Sequence, residues 1–148
     1  MRLRDEWLVV RVSLSRLEAV YLVELHKMAD EARTGTSALA ARFGVKGSSV
    51  VDVVKRLEKK GLVVREPWRS ISLTRRGEAL AEQLIHNHRV IETYFHRVLN
   101  LPAQLACSEA QKLDSLLSWR TITSMCRALN YPTTCIHGEK IKHYRRCK

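Results

Sequence analysis

Between Leu14 and about Ala32 the apolar positions Leu14, Leu17, Val20, Tyr21, Val23, Leu25 and Met28 recur close to the helical period, which predicts a helix. Arg33-Thr34-Gly35-Thr36 reads as a turn. Thr36 or Ser37 is expected to cap a short helix, Ala38 to Phe43, that Gly44 stops. Ser48 or Ser49 is expected to cap a third helix, with Val50, Val53, Val54 and Leu57 on one face. Its end at Lys59-Lys60-Gly61 places cations and a glycine where a helix C-terminus favours them. The period then changes. Leu62-Val63-Val64 and the alternating run Ser70 to Thr74 predict a two-stranded hairpin with a basic tip. Thr74 is expected to cap a long helix to about Leu99, which Leu101-Pro102 breaks. A further helix is expected from Ser108 to Leu129, and Tyr131 to Gly138 reads as irregular. Trp7 to Val12 fits a strand or a helical lead-in.

Helix, turn, short helix, tight turn, helix and hairpin is the order of a winged helix-turn-helix. The fold class is therefore mainly α with a small β-hairpin. The charge supports a nucleic-acid partner. Across 148 residues, 26 Lys and Arg stand against 15 Asp and Glu, a net of +11. The excess sits in residues 1–76 and 138–148, and the stretch between them is neutral. A cationic surface next to a neutral packing segment suits double-stranded DNA better than a uniformly basic protein does. Small polar side chains at the start of the third helix let it approach a phosphate or base edge. The DNA-facing candidates are Ser37, Lys46, Ser48, Ser49, Asp52, Lys55, Arg56, Arg65 and Arg69. Asp52 is unfavourable beside a phosphate but is able to accept from a cytosine amine.

A second constellation carries metal chemistry. His86, His88 and Glu92 share the long helix, and His88 and Glu92 are four apart, on one face. Cys135-x-His137 lies in a Pro- and Gly-flanked loop, and Cys107 lies before the last predicted helix. Together they offer nitrogen, oxygen and sulfur donors to Zn²⁺, Fe²⁺ or Mn²⁺. The bland reading of such a His/Glu pair is a surface ion pair. Cys126 reads as a core thiol. His143 and Cys147 fall in the basic tail, where disorder is one reading, and His26 and His96 read as surface residues. Four cysteines make no disulfide framework, so reduced thiols or a metal site in the cytoplasm are expected. No apolar run approaches about 20 residues and the N-terminus has no apolar core, so neither a membrane helix nor a secretory signal is expected. No arrangement of nucleophile and base or phosphate loop is evident, so an enzyme is not expected.

The segments YLVEL, TSALAARFGVKGSSVVDVVKRLEKKGLV, SISLTRRGEALA, HNHRVIETYF and PTTCIHGEKI carry a resemblance to the diphtheria toxin repressor and manganese transport regulator family, over about Leu14 to Ile141. The last segment resembles the Pro-x-x-Cys-Pro-His-Gly stretch of many members. The resemblance implies a metal-dependent transcriptional repressor that acts as a homodimer on a palindromic operator. It implies an N-terminal extension (residues 1–13) and a winged helix-turn-helix (14–76). A helical dimerisation and metal-binding domain (77–141) and a basic tail (142–148) would follow. An ancillary metal site is implied at His88, Glu92, Cys135 and His137, with Cys107 where some members use histidine, and one divalent metal per subunit. The primary regulatory site would fall at Leu17, Val20, Gln111, Asp114 and Ser115, of which Asp114 alone is a good ligand, so that site reads as degraded. The alternative is a metal-independent or redox-responsive winged-helix protein with a structural metal.

Overall fold

The computed structural model describes residues 12–29, 34–66 and 70–147. The expectations for residues 1–11 and for Arg69 at the hairpin tip lie outside the described residues. The described chain divides between Glu82 and Gln83 into two compact units.

In the first unit, helix α1 runs Arg16–Lys27. Ser15 and Glu18 form a reciprocal capping box: the Glu18 amide donates to Ser15 Oγ (3.2 Å) and the Ser15 amide to Glu18 Oε2 (2.8 Å). Helix α2 runs Thr36–Phe43 and begins two residues earlier than expected, capped by Gly35 without a side-chain bond. It ends as expected at Gly44, whose φ of 63° is left-handed. Helix α3 spans Gly47–Lys59. Neither Ser48 nor Ser49 caps it. The extended Lys46 does, because its carbonyl already accepts from the Ser49 amide at 3.0 Å. Val50, Val53, Val54 and Leu57 form the buried face, as their spacing requires, and α3 packs on α1 and α2. Strands β1 (Val63–Arg65) and β2 (Ile71–Leu73) pair antiparallel, with Val63 opposite Leu73 and Arg65 opposite Ile71. The Ile71 amide donates to Thr34 O at 2.7 Å, which ties the hairpin to the α2 side of the unit.

Helix α4, Arg75–Arg97, starts at a tight junction. Thr74 Oγ1 accepts from the Gly77 amide (3.0 Å) and donates to Gly61 O (2.7 Å). A Cβ on residue 77 would stand 1.9 Å from Leu62 O, so this approach demands glycine.

The second unit holds the rest of α4. The single helix expected from Ser108 to Leu129 is two helices, α5 (Ala103–Leu113) and α6 (Trp119–Ala128). Ser118 starts the second by accepting from the Thr121 amide at 3.3 Å, a capping signal buried inside an apolar run. The stretch expected to be irregular closes on itself instead. Cys135 donates its amide to Glu139 O (2.8 Å), Ile141 to Thr133 O (2.8 Å), and Gly138 turns with φ 79°. Residues 142–147 are no loose tail. A 3₁₀ turn, Arg145–Cys147, packs against α6, and Cys147 is 1% exposed. Val90, Ile91, Ala110, Ile122, Cys126, Cys135, Ile141 and Cys147 form one core. No helix among the described residues is long and apolar enough to cross a membrane.

The first unit contains a buried charge. Glu18 is 2% exposed. Lys60 Nζ donates to its Oε2 at 2.6 Å and Arg56 Nε to its Oε1 at 3.3 Å. Burial pushes the carboxyl up, but the Lys60 hydrogen bond, the Ser15 amide and the two cations outweigh it and hold it below its ordinary 4.5. A carboxylate held low in the folded state stabilises above its unfolded value, and that contribution is lost as pH falls through the folded value. Glu18→Gln is expected to cost about 1–2 kcal/mol at neutral pH, discounted for the partial exposure of Arg56 and Lys60. Chemical denaturation followed from pH 7 down through the carboxylate range checks this, because the gap between variant and parent should close in acid.

Candidate metal centre and nucleic-acid face

The middle of α4 is packed on one side and bears polar side chains that are nonetheless buried. Glu92 is 1% exposed, Thr93 0% and Asn87 5%. Helical spacing sets His88 one turn before Glu92, and His88 Nε2 stands 3.3 Å from Glu92 Oε2. From the closed hairpin after α6, His137 Nδ1 reaches the same oxygen at 3.2 Å. Neither approach has a hydrogen-bonding angle, so Oε2 is a buried oxygen with charge beside it and no hydrogen-bond donor. Cys107 on α5 sets its Sγ 3.5 Å from His88 Nε2. Two triads result, His88/Glu92/Cys107 and Glu92/Cys135/His137, each with its ligand atoms within 4.8 Å of one another, and Glu92 belongs to both.

Neighbouring bonds fix these groups. Arg89, next to His88, donates to Lys140 O (2.6 Å) and to Glu139 Oε2 (3.2 Å), which holds the hairpin carrying Cys135 and His137 against α4. Asn87 Nδ2 donates to Asp114 O at 2.9 Å, and Asp114 Oδ2 lies 3.5 Å from His88 Nδ1. Orienting a ligand imidazole through its far nitrogen is the usual task of such a carboxylate. The sequence reading placed Asp114 with the degraded primary positions. The break between α5 and α6 brings it to His88 instead. Nothing in the sequence marks Arg89 for this role, since an arginine following a histidine on a helix carries no signal of a hairpin about fifty residues away.

The electrostatics match the geometry. Burial would lower His88, but the Asp114 and Glu92 carboxylates beside its two ring nitrogens outweigh it and raise it to about 10. Burial would raise Glu92, but His88, Cys135 and the His137 charge hold it down at about 2. Burial and Glu92 push the Cys135 thiol up. A buried carboxylate oxygen lacking a donor, two imidazoles and two thiols suit a borderline or soft divalent cation, so the residues present fit a metal ion.

In the other unit, the exposed residues of α3 form the side opposite its valines. Ser48, Ser49, Asp52, Lys55, Arg56 and Lys59 all face solvent. Ser37 on α2 and Lys46 ahead of α3 are exposed as well. Arg56 is tied to Glu18, and Arg65 lies 2.8 Å from Glu58, so these two cations also serve the fold. Leu17 is exposed on α1 and Val20 half-buried, neither with a donor atom for a metal.

Comparison with known proteins covers both units. Residues 74–143 match the family described as iron dependent repressor, metal binding and dimerisation domain, and residues 12–68 match the MarR family. The HTH-type transcriptional regulator MntR of Lysinibacillus sphaericus is 28% identical over 106 residues, 72% of this chain and 73% of that one. The iron-dependent repressor IdeR of Mycobacterium tuberculosis is 30% identical over 123 residues, 82% of this chain and 54% of that one. A hypothetical protein of Sulfolobus solfataricus superposes with a TM-score of 0.75 at 30% identity, covering 88% of this chain and all of that one. The manganese regulator SloR superposes with a TM-score of 0.77 at 27% identity, covering 86% and 60%. The chain thus spans little more than half the length of two of these four relatives, IdeR and SloR.

In metal-free protein the His88–Glu92 attraction is present below the ordinary histidine value of 6.5 and is lost as pH rises through about 10. Glu92→Gln is expected to lower the His88 titration midpoint by about 1–2 pH units. Imidazole NMR shifts in chelator-treated protein read this directly, and an unmoved midpoint would detach His88 from Glu92.

Proposed function

The chain belongs to the diphtheria toxin repressor and manganese transport regulator family of metal-dependent transcriptional regulators, and from that premise we propose that it is a homodimeric repressor of metal homeostasis holding one divalent metal per subunit on His88, Glu92, Cys135 and His137, with Cys107 as a further ligand. The family is one of regulators and not of enzymes. The observation that carries the metal assignment is Glu92, whose buried oxygen is common to both triads. Thiol and imidazole donors favour Zn²⁺ or Fe²⁺ over Mn²⁺. A bound cation supplies the positive charge that lets Cys135 give up its proton, so occupancy weakens as pH falls.

The exposed polar side of α3 supports DNA binding. Lys46, Lys55, Arg56 and Arg65 would sit on phosphates, while Ser37, Ser48, Ser49 and Asp52 would approach the backbone or base edges. Arg69 is assigned to the same surface on sequence alone. A family segment for dimerisation and the exposed Val98, Leu99, Leu105 and Leu116 of the second unit support a homodimer. A palindromic operator follows from two-fold symmetry.

A specific observation favours the alternative of a structural metal and metal-independent operator binding. Leu17 and Val20, where the resemblance places ligands of the primary site, have no donor atom, which supports reading that site as degraded. Fluorescence anisotropy on a fragment of the protein's own promoter separates the two, with chelator-stripped protein compared against protein loaded with Fe²⁺, Zn²⁺ or Mn²⁺. The regulatory reading expects at least a tenfold gain with one metal, and Cys135→Ser should abolish that gain along with the ion. Equal specific affinity in all states would establish the alternative. Independently, Lys55→Ala/Lys59→Ala is expected to weaken binding about tenfold or more and to flatten the salt dependence by about two phosphate contacts, with an unchanged melt. An unchanged salt slope would move the DNA surface away from α3.

A further inference from the structure

The second unit contains another group of metal-binding side chains that shares no residue with the Glu92 triads. Cys126 in the last turn of α6, His143 beyond the hairpin and Cys147 in the 3₁₀ turn bring Sγ, a ring nitrogen and Sγ within 4.8 Å of one another. Cys126 Sγ lies 3.5 Å from His143 Nδ1, and Cys147 Sγ lies 3.5 Å from Nε2 of His86 on α4. Both cysteines are free thiols at no more than 1% exposure, and His86 is 2% exposed.

The far nitrogens of the two imidazoles are what single this cluster out. His143 Nε2 stands 2.7 Å from Pro132 O, and His86 Nδ1 stands 2.9 Å from Lys142 O. A carbonyl only accepts, so each of those nitrogens carries the proton. In its neutral form each ring then turns its unprotonated nitrogen toward a cysteine sulfur. Fixing the tautomer through a backbone carbonyl is how proteins present histidine to a metal. The rings of Trp119 and Tyr144 lie against His86 at 6.0 and 5.3 Å, and that of Tyr131 against His143 at 6.1 Å, which gives the group an apolar surround.

We propose that Cys126, Cys147, His143 and His86 form a second, structural metal site for Zn²⁺ that pins residues 141–147 to α4 and α6. Two sulfurs and two nitrogens are a tetrahedral zinc donor set. Binding releases the two thiol protons to solvent and forms four metal–ligand bonds, with no change of oxidation state. A Cys126–Cys147 disulfide would leave the two oriented imidazoles without a task.

The site is tested in the full chain with Zn²⁺ and Co²⁺ alone, under reductant. Removing Cys107 and Cys135 by Cys107→Ser/Cys135→Ser leaves Cys126 and Cys147 as the only cysteines of the four. Co²⁺ added to that variant should give a thiolate-to-cobalt charge-transfer band that Zn²⁺ displaces. Adding Cys147→Ser or His143→Gln should weaken the ion tenfold or more. Absence of the band, or a band indifferent to both changes, overturns the proposal. In case a variant fails to fold, alkylation of the unaltered chain gives a second readout. Zn²⁺ should slow modification of Cys126 and Cys147 at least tenfold. Equal rates, or a Cys126–Cys147 disulfide in reductant-treated protein, overturn it. None of these outcomes depends on whether the Glu92 triads bind metal.

Discussion

A carboxylate removed from water must be met by positive charge or take up a proton, and the second unit is arranged around that demand at Glu92. His88 meets it from one turn earlier on α4 and His137 from the hairpin after α6. Two elements far apart in sequence, α4 and the hairpin, therefore have to agree on one oxygen atom. Arg89 enforces the agreement by gripping the hairpin backbone at Lys140, and Asn87 does the same for the α5 end at Asp114. The arrangement that neutralises the charge also gathers two thiols beside it, so the requirement of folding and the donor set of a metal centre coincide.

The winged unit solves a similar problem at Glu18 with different partners. There the charge is met by Arg56 and Lys60 from α3, and the same carboxylate closes the α1 capping box. This changes how the basic composition is interpreted. Arg56 and Lys60 hold α1 on α3, and Arg65 is paired with Glu58. Lys46, Lys55 and Lys59 remain on exposed positions of the polar side. A net positive charge gives the sign of a partner, but some of its cations are engaged within the fold.

The strongest periodicities were legible. The α3 valines and Leu57, the stop at Gly44, the Thr74 cap and the alternation that made the wing all came from local rules that the tertiary structure left standing. The misses share a cause. The apolar run around Leu116 and Leu117 concealed the break before Ser118, because helical period continues across a short turn without a glycine or proline to mark it. The hairpin after α6 is held by only a few backbone bonds, among them those from Cys135 and Ile141, which leave no pattern of alternating side chains. Residues 142–147 look like a basic tail in composition, yet Cys147 and His143 turn inward while Lys142 and Arg145 face solvent.

By itself the sequence determined the order of elements from α1 to α4, the polar and apolar sides of those helices, and the His88–Glu92 pair. These depend on spacing within one element, where geometry follows from the helical or strand repeat. Only the tertiary structure decided that Asp114 stands by His88, that Arg89 grips the hairpin, and that Cys126 and Cys147 meet His143 and His86. Those meetings join residues up to 61 positions apart, and no local period encodes them. They are set by which faces bury one another and by the buried charges that must be met when they do.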